Sequence, residues 1–205
     1  MTLSNPAANF NIGLDGVLCS FGKMRHRWNM RWIWIDKFVE FHSGRRAVAI
    51  KNVTLAEEHL HDHFPGFPVM PETLCIEAMA QTAGILVGEA KKFQEKVILA
   101  KIKKAVFFDY VRPGDTLKLD AKIEAITPEA ASTSGKITCE NKLIAEIDLM
   151  FSHIDKNLAG KEFPEENFVF TGMFKSLMRG VVFADDKQKF ILRSSTAENG
   201  SEQDR

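Results

Sequence analysis

His63 and Glu77 are the two side chains in this sequence whose types and surroundings suit proton transfer. The histidine opens the run HFPGFPVMP at positions 63–71, and the glutamate follows fourteen positions later (77 − 63 = 14) in EAMAQ, positions 77–81. An imidazole, with an unperturbed pKa of about 6.5, can be neutral at working pH and accept a proton. Burial disfavours a charged carboxylate, so Glu77, set among Ile76, Ala78 and Met79, can keep a proton to donate. Burying a carboxyl group is costly, which favours a functional reason for it over packing. Gln81, one helical turn later, either orients that acid or satisfies a buried backbone group.

A metal centre is the weaker reading of the same stretch. His59, His61 and His63 with Asp62 would share one face of a strand. Pro65 interrupts any such strand, and no second ligand cluster stands out, so we expect no metal. Cys19, Cys75 and Cys139 are odd in number and lack C-x-x-C spacing, which argues for a reducing compartment and against a disulfide framework. The chain has 205 residues, 45% of them hydrophobic, and its 27 basic side chains balance 27 acidic ones, so bulk charge names no nucleic-acid partner. Lys101, Lys103 and Lys104 are interrupted by apolar residues and suit the solvent face of a strand. The N-terminus lacks a basic region followed by an apolar run, and no stretch approaches the roughly 20 apolar residues of a membrane span. The expected location is the cytoplasm.

The elements that must position the pair follow from periodicity. Ile33, Ile35, Phe38 and Phe41, then Val48 and Ile50, form two apolar runs around His42-Ser43-Gly44, a hairpin pattern. Positions 73–93 are apolar nearly all round, as a buried helix requires. Pro71 precedes that helix where a missing N–H costs nothing, and Gly84 and Gly88 would let another backbone approach. Three extended runs follow, at 97–108, 116–126 and 135–153, separated by 112–115 and by 128–134. A hairpin, one hydrophobic helix and then antiparallel strands is an α+β order in which the sheet wraps the helix. We therefore expect one domain at 31–155, with extensions at 1–30 and 156–205. Phe170, Phe174, Leu177 and Met178 are spaced for one face of a short helix, and the tail from Arg193 is polar enough for disorder.

HFPGFPVMP followed by EAMAQ resembles the signature of the FabZ/FabA-like β-hydroxyacyl-acyl carrier protein dehydratases of fatty-acid synthesis. The likeness extends through Ile35-Asp36-Lys37, Gly44-Arg45, 51–54, Pro113-Gly114-Asp115 and 145–151, and so covers roughly 31–154. It implies a hot-dog fold and a hydro-lyase that converts a β-hydroxyacyl thioester to its trans-2-enoyl form. It also implies a homodimer or a higher multiple of dimers, each site taking histidine and acid from opposite subunits. In that reaction His63 and Glu77 divide the work: a base removes the α-proton while an acid protonates the departing hydroxyl. The resemblance gives the N–H of Glu72 to the thioester oxygen, at the positive end of the helix, and sets Gln81 and Gly66 beside the pair. Phe64, Phe67, Met70 and Met79 either line an acyl tunnel or belong to the core. No cofactor is implied, because the substrate brings its own phosphopantetheine from acyl carrier protein or coenzyme A.

Some positions depart from the pattern. Glu72 and Asp62 stand where that family usually has glycine, His59 replaces an aromatic residue, and Phe108-Asp109-Tyr110 occupies a place where basic residues are common. A glutamate still supplies its N–H, and an acid is favourable in a first helical turn, although its carboxylate could crowd or repel a developing oxyanion. Two other readings remain open: a hot-dog thioesterase whose acid activates water, and a non-catalytic acyl-binding homologue in which Glu72 has closed the oxyanion site.

Overall fold

The computed structural model describes residues 33–154 together with 177 and 178. The expected extension at 1–30 and the polar tail lie outside the described residues. Of the short helix anticipated beyond 155, Leu177 and Met178 are described, half-buried and packed against the core.

Hairpin β1 (Lys37–His42) and β2 (Arg46–Asn52) forms where expected, with Gly44 at φ +67° letting the chain reverse. A one-turn helix α1 (His59–Asp62) and a longer helix α2 (Glu72–Ala90) follow. Every residue from Ala78 to Gly88 is buried, as the all-round apolar pattern requires. The helix stops at Ala90, three residues short of the expected end. Lys92 and Phe93 take positive φ, Phe93 donates its N–H to the Gly88 carbonyl at 2.8 Å, and its ring turns back onto the core.

Strands β3 (Val97–Phe107) and β4 (Thr116–Ile126) also form as read. The single run expected over 135–153 is in fact two strands, β5 (Ala130–Cys139) and β6 (Lys142–His153). They turn at Glu140-Asn141, both at positive φ, a two-residue hairpin without the usual glycine. Residues 130–134, expected to be a separator, belong to β5 because Ala131 and Thr133 alternate inward.

The six strands pair antiparallel in the order β1-β2-β4-β5-β6-β3. Helix α2 packs on the sheet's inner face, touching β2 through β6. Phe41, Leu117, Leu119, Ile137, Ile147 and Leu149 are fully buried in the core that the sheet shares with this helix. This is the hot-dog arrangement that the resemblance implied. At Gly84 an added Cβ would meet the Phe151 ring at 3.4 Å, so this glycine admits an aromatic ring rather than a second backbone. Strand β3 closes one end of the sheet with residues 99–106 exposed on both faces, including Leu99, Ile102 and Val106 as well as the three lysines.

Candidate active site

The loop from α1 to α2 is built around a tight turn. Phe64 and Phe67 exchange backbone hydrogen bonds of 3.0 and 2.9 Å, with Pro65 and Gly66 between them and Gly66 at φ +77°. Proline followed by a glycine of positive φ is the composition of a type II turn. Gly66 therefore shapes the chain beside His63, and an added Cβ would meet nothing within 4 Å.

That turn holds His63 by three contacts. The His63–Phe64 peptide is cis, and the Phe64 ring stacks on the imidazole with centroids 4.2 Å apart and planes 27° off parallel. The imidazole Nδ1 lies 2.9 Å from the Val69 carbonyl oxygen, and the Val69 N–H donates to the His63 carbonyl at 2.9 Å. A carbonyl only accepts, so the single N–H of a neutral imidazole must sit on Nδ1. Nε2 is then left with a lone pair, the form a base needs.

Next to the turn, the exposed side chain of Phe67 carries the Arg112 guanidinium 4.6 Å above its ring and the edge of Tyr110 at 6.0 Å. Met70 leaves the loop for the core and donates its N–H to Val111 at 2.8 Å. Met79 is buried as well, its thioether packed where Gly135 lacks a side chain. Of the four residues named for an acyl tunnel, the single chain thus buries Met70 and Met79 and exposes Phe64 and Phe67.

Helix α2 starts at Glu72 with Pro71 at its N-cap and no capping side chain. Among the described residues nothing accepts the N–H of Glu72 or Thr73, so two donors and the positive helix end stay available. The Glu72 side chain is exposed. Its charge is the second cause, after burial, that pushes the Cys75 thiol up to about 12. Glu77, one turn further along, is half-buried, and its Oε1 accepts 2.9 Å from Gln81 Nε2. Gln81 Oε1 in turn accepts the main-chain N–H of Trp34 at 2.8 Å. Gln81 therefore bonds at once to a backbone N–H and to the Glu77 carboxyl group. No sequence pattern signals Trp34, because it acts through its main chain.

The Trp34 ring is fixed by neighbours. Lys51 Nζ lies 5.8 Å from the indole centroid, and the His59 imidazole meets it edge-on at 5.2 Å. Burial holds the His59 imidazole below its ordinary value, partly offset by Glu57. His59, His61 and Asp62 lie on α1, and among the described residues no group of three potential ligands converges for a metal. His63 and Glu77 share no hydrogen bond or ion pair within one chain; each instead contacts its own local partners.

The family model for a FabA-like domain matches residues 29–148. The chain belongs to the FabA-like family. FabA-like relatives include the 3-hydroxyacyl-[acyl-carrier-protein] dehydratase FabZ of Thermomicrobium roseum, 37% identical over 129 residues, covering 62% of this chain and 87% of the relative. The enzyme of that name from Caldanaerobacter subterraneus is 39% identical over 121 residues, covering 58% and 86%. Among solved structures, the dehydratase heterocomplex ApeI:P of Xenorhabdus doucetiae superposes with TM-score 0.51 at 16% identity, over 63% of this chain and 90% of that one, a likeness of fold. The FabA-like match spans the loop carrying His63 and the helix carrying Glu77. No helix among the described residues is long and apolar enough to cross a membrane.

Proposed function

We propose that this chain is a hydro-lyase that dehydrates a β-hydroxyacyl thioester, delivered on acyl carrier protein or coenzyme A, to the trans-2-enoyl thioester. The observation that carries the reading is the fixed imidazole of His63, with Nδ1 on the Val69 carbonyl and Nε2 without a hydrogen bond among the described residues. Nε2 takes the α-proton, the β carbon–oxygen bond breaks, and the Glu77 carboxyl gives its proton to the leaving hydroxyl, which departs as water. The N–H groups of Glu72 and Thr73 face the charge that develops on the thioester oxygen. All the groups needed are protein side chains and amides, and the phosphopantetheine arm belongs to the substrate.

The pair is completed between two chains, His63 of one acting with Glu77 of the other. In support, neither residue hydrogen-bonds to the other within a chain, and β3 leaves a doubly exposed edge of mixed apolar and lysine side chains available for a second copy. The test is incubation of the purified protein with crotonyl and β-hydroxybutyryl thioesters. Reversible hydration is the expected result. Release of free thiol would make it a thioesterase, and no change in either compound would leave an acyl-binding protein.

A further inference from the structure

We infer that Gln81, locked by the main chain of Trp34, decides which oxygen of Glu77 carries the transferable proton, and that the segment leading into β1 is therefore a positioning element of the acid. The inference rests on the dehydratase reading and extends it to residues outside the acid/base pair.

A glutamine amide has two ends of similar shape and opposite hydrogen-bonding character. The Trp34 main-chain N–H can only donate, so the amide end 2.8 Å from it must be the oxygen. The NH₂ end is thereby turned to Glu77, 2.9 Å from Oε1. Gln81 is 7% exposed, so solvent does not compete for that orientation. An Oε1 that accepts an N–H is a poor seat for a proton, because the hydroxyl oxygen of a carboxylic acid accepts more weakly than its carbonyl oxygen. Glu77 Oε2 accepts no hydrogen bond among the described residues and is the oxygen left to hold and deliver the proton.

The lock itself is braced. Trp34 precedes β1, where its ring sits beside the Lys51 ammonium on β2 and the His59 imidazole on α1. Lys51 is fixed by Glu57 Oε1 at 2.8 Å and by the Asn52 carbonyl at 2.9 Å. The N–H of His63 donates to the His59 carbonyl at 3.1 Å. One indole thus ties the holder of Glu77 to the short helix that leads into His63.

Gln81→Glu separates positioning from mere packing, since a carboxylate still accepts the Trp34 N–H but cannot donate to Glu77 when ionised. The expected result is a kcat lower by roughly 10–100-fold with KM little changed, since a misaligned group costs the transition state and not ground-state binding. Gln81→Met, which lacks both polar ends, should show the same kcat loss, and circular dichroism will report whether each variant is folded. An infrared band of the Glu77 carboxyl, identified by its absence in Glu77→Gln, should move in Gln81→Met through loss of the donor to Oε1. Folded Gln81 variants with wild-type kcat, a change confined to KM, or an unmoved Glu77 band would each overturn the inference. The band is read without turnover: a moved band in a protein that hydrates no thioester would uphold the hydrogen bond and remove the dehydratase reading instead.

Discussion

His63 and Val69 hold each other by a reciprocal pair of 2.9 Å contacts, backbone N–H to carbonyl in one direction and imidazole Nδ1 to carbonyl in the other. The turn between them is what lets a surface loop present an imidazole in one tautomer and one orientation. The proposed proton transfer depends on that, because a histidine free to flip would offer the wrong nitrogen to a substrate for part of the time.

His63→Ala and Glu77→Gln should each lower kcat by about 10²–10⁴-fold while leaving the circular dichroism spectrum unchanged. Mixed and allowed to exchange subunits, the two inactive variants should recover roughly a quarter of wild-type activity, because half the dimers then carry one intact site of two. No recovery after verified exchange would show that each site is built from a single chain.

Glu72 opens α2 with its N–H unaccepted among the described residues, and in the proposed reaction its side chain brings a negative charge near the thioester oxygen. Glu72→Gln keeps the amide and the shape but removes the charge, and should raise kcat by roughly fivefold, about 1 kcal/mol of repulsion relieved. The same change removes a favourable charge from a first helical turn and should cost up to about 1 kcal/mol in urea unfolding. A fall in kcat would mean that the carboxylate takes part in the reaction.

Burial, followed by Glu72, pushes the Cys75 thiol up to about 12. A raised thiol pKa means less thiolate: at pH 8 about one part in ten thousand. Native protein should therefore leave Cys75 unmodified by iodoacetamide at pH 8, whereas urea-unfolded protein should alkylate there readily. Peptide mass spectrometry reads both, and rapid native labelling of Cys75 would contradict its placement.

Gly135→Ala would drive a methyl group into Met79, 2.8 Å from Cε and 2.9 Å from Cγ, with Sδ closer still. Overpacking of this kind costs about 1–3 kcal/mol. In a Met79→Ala background the same substitution should cost much less, and a double-mutant cycle by denaturant unfolding measures the difference. Equal costs in the two backgrounds would mean that the two residues do not meet.

The helix and most strands were legible because they repeat. Positions 78–88 are mostly apolar on every side, and Leu117, Leu119 and Ala121 alternate strictly, so burial follows from period. The β5–β6 hairpin was not legible, since Glu140-Asn141 reverses the chain without glycine, and the Ser and Thr of 130–134 hide an inward alternation. At the site, His63, Glu77 and Gln81 announce themselves by type and spacing. The anchor on Trp34 does not, because a backbone amide is present at every residue but proline and leaves no letter in the sequence.

Strand β3 keeps both its faces in water over residues 99–106 in the isolated chain. In the proposed dimer, joining two such strands would remove apolar surface that unfolded chains never bury together, and folding and association would become one equilibrium. The melting temperature should then rise with protein concentration, and dilution alone, with no denaturant, should weaken the fold.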